Sequence, residues 1–264
     1  MKYEVPYCAK TGSETVWRFN RDVVDAFAKG CGGKTFEMEF ENKNFFPEKV
    51  ATYGVLRRCD KVIKEAKEYW YMDRGYFSPK NYIRITRNNI IHDGLGDFKW
   101  DRFNKFNLKL SPWNLTGGNI VIVPPSGAFS YLLDHENWTK LTIEKVIKYT
   151  DRDIIISRKP GAKISNEEHS LLTSTKQVKE LNAPLKEALK DAWVLITDIS
   201  NTMVDAAING IPIICTNNNR RIGSIEEIES PIKDRNFLKN LAYNQWTFEE
   251  MRSGKAWQEL NEWG

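Results

Sequence analysis

Four short apolar runs in the second half of the 264-residue chain constrain its fold more than any other feature. Each run is rich in β-branched residues and is followed at once by polar residues or proline, as is typical of buried strands. The segments between them carry apolar residues at helical spacing, and this alternation predicts a parallel sheet with right-handed crossovers. The predicted strands are 119–123, 153–157, 193–197 and 211–215, and the predicted helices are 138–150, 184–192 and 201–209.

The first half shows the same alternation more faintly, while the segment 94–113 is aromatic, basic and irregular. We therefore predict an α/β protein of two Rossmann-like domains, 1–115 and 116–264. In the first half, helices are predicted at 16–29 and 56–68, and strands at 35–40, 50–53, 69–72 and 82–86.

The aromatic C-terminal segment is predicted to be helical. Thr247 and Glu250 have the spacing of a capping box, and the residues after them are too apolar for a helix that floats free. We expect this segment to pack back over the seam between the domains, onto the first domain.

Composition excludes several classes of protein. With 41% hydrophobic residues the chain can form a core, and no apolar run approaches the ~18 residues of a membrane-spanning helix. The start of the chain has no apolar signal-peptide segment, so we expect a cytoplasmic protein with no membrane partner. The cysteines lack the spacing of a zinc site or a disulfide framework and are expected to be reduced thiols. They are Cys8, Cys31, Cys59 and Cys215.

The charge is unevenly distributed. The net charge of +4 divides into +6 for residues 1–115 and −2 for residues 116–264. This asymmetry favours an acidic partner for the first half, although uneven but solvated surface charge explains it equally well.

Polar side chains follow the predicted strands of the second half, at the edge where open parallel sheets bind ligands. The segment 197–202 leaves a strand and opens a helix, so hydroxyls, an amide and backbone N–H groups meet at a positive helix end that suits a phosphate. Helix capping alone is the alternative explanation. A cationic pair after the neighbouring strand suits a diphosphate, and a carboxylate one helical turn on suits a ribose diol. The predicted donor-binding residues are Ser126, Arg158, Lys159, Ser200, Asn201, Thr202 and Asp205.

The segment 193–214 resembles the donor-site signature of GT-B glycosyltransferases and their epimerase relatives. It contains a strand, a Ser/Asn turn, a helix with an acidic residue, and Gly210-Ile211-Pro212 before the next strand. It departs from that pattern in having Asp205 where glutamate is commoner. The resemblance is looser over 118–240. The whole chain also resembles small glycosyltransferase-like proteins of phages through 71–77 and 82–88.

The resemblance implies two Rossmann-like domains that face each other across a cleft. The second would bind a nucleotide-diphosphate sugar, most simply a UDP-sugar, and the first would bind the acceptor and supply a catalytic base. Asp73, at the end of a predicted strand, is the first candidate for that base, with ion pairing to Arg74 as the structural alternative. The rival candidate is the neighbouring pair His92 and Asp93.

The resemblance also implies that no metal is needed, since a helix dipole and basic residues would stabilise the leaving diphosphate. Asp151-Arg152-Asp153 matches the D-x-D of metal-dependent glycosyltransferases. It precedes its predicted strand, however, and so belongs to the wrong edge of the sheet. The chain contains neither G-x-G-x-x-G nor a P-loop, so dinucleotide oxidoreduction and P-loop chemistry are not supported.

Basic residues interleaved with aromatic ones in 80–113 suit a phosphate backbone with a stacked or flipped base. We therefore predict double-stranded phage DNA as acceptor, glycosylated at 5-hydroxymethylpyrimidines such as 5-hydroxymethylcytosine. A cell-surface or capsular glycan, an epimerase without acceptor, and a non-enzymatic nucleic-acid-binding module remain alternatives. The predicted acceptor-binding residues are Arg74, Arg84, Arg87, Trp100 and Arg102.

Overall fold

The computed structural model describes residues 4–38, 47–91, 97–159, 162 and 164–262. The chain divides into two compact units. Unit 1 contains Met1–Phe106 and Lys239–Gly264, and unit 2 contains Asn107–Leu238.

Both units are mixed α/β structures, as predicted, and the elements follow one another in three stretches of chain. The first stretch contains β1 (Tyr7–Lys10), α1 (Arg18–Cys31), β2 (Thr35–Glu37), β3 (Lys49–Tyr53), α2 (Cys59–Glu65), β4 (Glu68–Arg74), β5 (Tyr82–Arg87) and α3 (Asp101–Asn104). The second contains β6 (Asn119–Val123), α4 (Gly127–Leu132), α5 (Trp138–Val146), β7 (Ile154–Ile156), α6 (Asn166–Ser174), β8 (Val178–Glu180), α7 (Leu185–Ala188), β9 (Ala192–Thr197), α8 (Thr202–Ile208) and β10 (Ile213–Cys215). The third contains α9 (Asn236–Tyr243), β11 (Gln245–Thr247), α10 (Phe248–Arg252) and α11 (Lys255–Glu262).

The sheet of unit 1 has the strand order β11-β5-β4-β3-β1-β2. β1 to β4 are parallel, whereas β5 and β11 run antiparallel to their neighbours. Helices α1, α10 and α11 cover one face, where Phe27, Trp70 and Trp246 are almost completely buried. The parallel strands bring the loops after β1, β3 and β4 to one edge of this sheet.

The sheet of unit 2 is wholly parallel, with the order β10-β9-β6-β7-β8. Its central strands are continuous apolar runs, as expected of strands covered on both faces. From β6 the chain proceeds to β7 and β8 on one side, and then crosses to β9 and β10 on the other. The order therefore reverses between β6 and β9.

The four strands predicted in the second half are confirmed, with ends that differ by no more than two residues. The stretch between β7 and α7 contains α6 and β8, neither of which was predicted. In β8 only Val178 is buried, so this edge strand carries no apolar run. Helix α6 begins at a Ser165 cap but has a weak apolar face.

The two compact units and the predicted domains divide the chain differently. The segment after Phe106 belongs to unit 2 because Ser111 N donates to Ile208 O and Asn114 N donates to Gly210 O. The last 26 residues of unit 1, Lys239–Gly264, include β11, which pairs with β5.

The C-terminal segment packs on unit 1. The capping box of Thr247 and Glu250 is present at the start of α10. The Trp257 ring lies 5.2 Å from the Trp70 ring and 6.0 Å from the Phe27 ring, between centroids. This aromatic contact explains why a segment so distant in sequence completes the first core.

The close approach of α1 and α10 generates a stability prediction. A Cβ on Gly30 would lie 1.8 Å from the carbonyl oxygen of Met251, and that oxygen belongs to the backbone. We expect Gly30→Ala to lower the free energy of unfolding by about 1–3 kcal/mol, the usual cost of overpacking. Chemical denaturation measures the effect. In the control Gly127→Ala the added Cβ meets nothing within 4 Å, and equal stability of the two variants would contradict this packing.

Candidate functional site

The reversal of strand order between β6 and β9 marks the place where an open parallel sheet binds its ligand. Ser126 follows β6 and precedes α4, with no capping hydrogen bond from its side chain. The turn Asp198–Asn201 follows β9 and leads into α8. The structure thus brings Ser126 and this turn to the same edge of unit 2, as the sequence predicts.

A histidine–aspartate pair lies at this edge. Nδ1 of His135 is 2.9 Å from Oδ2 of Asp198, whose side chain is only 1% exposed, while the His135 side chain is 34% exposed. Thr216 Oγ1 lies 3.4 Å from the other carboxylate oxygen of Asp198, and Trp138 Nε1 donates to Thr216 Oγ1 at 2.9 Å. Asp198 therefore orients the imidazole, and Nε2 has no hydrogen-bond partner among the described residues.

The turn before α8 presents polar groups beside this pair. Ser200 Oγ accepts a hydrogen bond from Thr202 N at 3.3 Å. The Thr202 hydroxyl is buried and has no hydrogen-bond partner within the described parts of the chain. A buried hydroxyl without a partner costs free energy, so this group is prepared to bind a ligand atom or water. Asn201 occupies the N-cap position of α8.

Asp205 lies one turn further along α8, on its exposed side. Desolvation by the neighbouring protein nevertheless raises the pKa of its carboxyl above the ordinary value of 3.8. Functional sites often contain carboxyl groups whose pKa is shifted in this way.

The cationic pair after β7 consists of Arg158 and Lys159, and the charge of Arg158 is already neutralised within the protein. Arg158 is 8% exposed, and its guanidinium donates to Glu168 at 2.5 Å and to Glu180 at 2.9 Å. Two carboxylates already compensate its charge. Lys159 is exposed. The roles predicted for both in diphosphate binding stay predictions.

In unit 1, Asp73 lies at the carboxyl end of β4 and is half-buried. Its Oδ2 accepts hydrogen bonds from Tyr71 Oη at 2.8 Å and Arg84 Nη2 at 3.0 Å, and its Oδ1 accepts one from Arg74 N at 2.8 Å. Burial holds the pKa of the Tyr71 phenol well above its usual range, and the Asp73 charge adds to this. Three hydrogen-bond donors therefore fix the position of the Asp73 carboxylate. His92 and Asp93 lie outside the described residues.

The predicted acceptor-binding arginines have different surroundings. Arg84 is 3% exposed and pairs with Asp73, while Arg87 pairs with Glu68 across the sheet. Arg102 is buried and donates to Gln245 O at 2.5 Å, with Glu250 and Glu259 nearby. These three guanidinium groups stabilise unit 1 internally. Of the other two predicted residues, Trp100 packs edge-on against Phe103 and Arg74 is exposed.

Sequence reasoning gave His135 and Asp198 no role. Asp198 directly follows a predicted strand, a signal that would have sufficed to include it. His135 stands in a loop without periodicity, and its partner is 63 residues away in the chain. No pattern in the sequence predicts that contact.

The Asp151–Asp153 motif precedes β7, as predicted, and Asp153 pairs with Lys179 at 2.6 Å. Within the described residues no group of three or more His, Cys, Asp and Glu side chains is placed to hold a metal ion. Nor does any helix in those residues combine the length and apolarity needed to cross a membrane.

No protein-family profile and no curated protein matches the chain. Among solved structures, it is similar to Thermosulfurimonas dismutans KpsC, a beta Kdo 2,7 transferase, at 13% identity and a TM-score of 0.49, over 99% of this chain and 100% of that one. It is also similar to Methanocaldococcus jannaschii UDP-GlcNAc 2-epimerase at 12% identity and a TM-score of 0.32, over 98% and 100% of the two chains.

Asp205 gives a pH-dependent prediction. Because its pKa is raised on folding, its ionisation costs stability once the pH rises through the folded-state pKa, and costs nothing below pH 3.8. We expect Asp205→Asn to raise the Tm at pH 7 and to lose this advantage as the pH falls towards 3. Thermal unfolding followed by circular dichroism measures both values. The exposed Asp151→Asn serves as control, and a variant Asp205→Asn that is less stable than the parent at pH 7 would contradict the prediction.

Proposed function

We propose that this chain is a glycosyltransferase that moves a sugar from a nucleoside-diphosphate donor, with a UDP-sugar as the first choice, to a hydroxyl acceptor. The observation that carries the proposal is the His135–Asp198 pair at the point where the strand order of unit 2 reverses. It lies beside the start of α8, where the Thr202 hydroxyl is buried and has no hydrogen-bond partner among the described residues. The resemblance of 193–214 to GT-B donor sites supports the same reading.

In this proposal the donor diphosphate lies against the turn Asp198–Asn201. Backbone N–H groups and the hydroxyls of Ser200 and Thr202 bind its oxygens, and Asn201 contributes from the N-cap position. When protonated, His135 donates a hydrogen bond from Nε2 to the departing diphosphate, while Asp198 holds Nδ1 and so orients the ring. Asp205 accepts from the ribose hydroxyls. In this proposal His135 compensates the charge of the diphosphate, a role predicted from the sequence for Arg158 and Lys159.

Asp73 is proposed as the base. As the acceptor oxygen attacks the anomeric carbon, its proton passes to the Asp73 carboxylate. The bond between the anomeric carbon and the phosphate oxygen breaks, and its electron pair leaves with the diphosphate. The hydrogen bonds from Tyr71 and Arg84 occupy Oδ2, which directs the proton to Oδ1.

The acceptor predicted from the sequence is 5-hydroxymethylpyrimidine in phage DNA. Three of the arginines on which that prediction depends have carboxylate partners inside unit 1, and this weakens the case for duplex binding. Glycan acceptors are therefore tested alongside DNA in the same experiment.

The four free, buried cysteines support a reducing, cytoplasmic compartment.

The test incubates the protein with a panel of nucleoside-diphosphate sugars and with hydroxymethylated DNA, plain DNA or oligosaccharides, and weighs the products by mass spectrometry. We expect His135→Ala to lower kcat by about 10²-fold, the usual cost of losing one donor to a developing negative charge. His169→Ala, which removes an exposed histidine on α6, is the matched control.

Transfer that proceeds at the parent rate in His135→Ala would remove this residue from the mechanism. A donor that is converted to its epimer in the absence of any acceptor would assign the chain to the epimerases instead. Absence of binding to any nucleoside diphosphate would overturn both enzyme readings.

A further inference from the structure

Two arginines in unit 1 differ from the ion-paired ones described above. Arg57 follows β3 and Arg74 ends β4, so both lie at the carboxyl-terminal edge of neighbouring parallel strands. Among the described residues no carboxylate lies within ion-pair distance of either guanidinium. Within the described residues, these two guanidinium groups are therefore cations without an ion-pair partner at this edge.

Both guanidinium groups lie over aromatic rings. The Arg57 guanidinium carbon lies 4.0 Å from the centroid of the Trp17 ring, and that of Arg74 lies 3.6 Å from the Phe19 ring. The two rings stand at the start of α1. Arg74 Nη1 also donates to Pro79 O at 3.3 Å. A guanidinium placed over a ring keeps its charge and further N–H donors, which can match a carboxylate or phosphate in two-point contact.

The backbone at Arg57 supports a functional role. Arg57 and Arg58 have φ values of 58° and 67°, the left-handed region that residues with a Cβ rarely occupy twice in succession. Nε of Arg57 is also buried and lacks a hydrogen-bond partner within the described residues. Strain of this kind collects at ligand-binding loops, where the surrounding structure maintains it.

Asp73 connects this edge to the proposed chemistry. It is the residue before Arg74, and its Oδ1 accepts the Arg74 backbone N–H. An acceptor held by the two arginines would thus present its other groups beside the proposed base. A compact anionic molecule fits two arginines better than a duplex does, since duplex binding uses several phosphate contacts in a row.

We propose that Arg57 and Arg74 bind the anionic group of the acceptor, and that the acceptor is an acidic saccharide bearing a carboxylate or a phosphate. This inference rests on the proposed glycosyltransferase function. It replaces Arg84, Arg87 and Arg102 as acceptor contacts and keeps Arg74.

The experiment measures binding in the absence of donor, by NMR titration of the full chain. The probes are glucuronic acid, glucose 6-phosphate, neutral glucose and a hydroxymethylated DNA duplex. We expect both acidic sugars to bind and neutral glucose not to bind. Arg57→Gln and Arg74→Gln should each weaken acidic-sugar binding by about 10- to 100-fold, as for a lost hydrogen bond between charged groups.

Lys67→Gln is the matched control, because it removes one positive charge at the opposite edge of the same sheet, where Lys67 pairs with Glu48. Arg74 is exposed, so Arg74→Gln remains informative if Arg57→Gln does not fold. UDP binding, measured separately, should be equal in all variants. Loss of UDP binding in the parent would count against the proposed function rather than against this site.

Equal affinity for neutral and acidic sugars, or unchanged affinity in both arginine variants, would overturn the proposal. Binding of the duplex alone, lost in the same variants, would overturn the saccharide assignment in favour of DNA. Glucuronic acid and glucose 6-phosphate distinguish a carboxylate from a phosphate as the recognised group.

Discussion

Burial of β9 is the constraint on which unit 2 depends. The strand pairs with β6 on one side and β10 on the other, and Val194, Leu195 and Ile196 have no exposed surface. Its peptide groups are satisfied by both neighbours, so polar side chains can enter only where it ends. Asp198 is the first residue after the strand. Its carboxylate orients His135, and the turn that it begins leads into α8. The candidate site is a consequence of how this strand is buried.

The arginines of the described residues differ in whether a carboxylate pairs with them. Arg84, Arg102 and Arg158 are buried against carboxylates, so removing any one would leave a buried charge unpaired. Arg57 and Arg74 rest on aromatic rings, which hold a guanidinium without neutralising it. Among the described residues, a ligand anion would reach Arg57 and Arg74 without displacing a protein carboxylate. Charge counted along the chain does not separate these two groups of arginines.

Most apolar strands could be predicted because burial on two faces demands continuous β-branched runs. β1 could not, since Tyr7–Lys10 contains no such run although Cys8 and Ala9 are buried. The edge strands β8 and β11 could not be predicted either, since β8 buries only Val178 and β11 follows a helix with no strand-like pattern. The donor turn was predictable for the same reason as the strands, because its polar residues directly follow one of them. His135 was not, since its partner Asp198 is distant in sequence.

The sequence by itself determined the alternation of strands and helices, the polar turn after β9 and the capping box at Thr247. These are local properties, decided by the spacing of neighbouring residues. Only the tertiary structure decided that β11 pairs with β5, that Arg158 is compensated by Glu168 and Glu180, and that Asp198 meets His135. Such contacts depend on the order in which strands pair. That order brings together residues that are far apart along the chain, and no local sequence pattern marks them as partners.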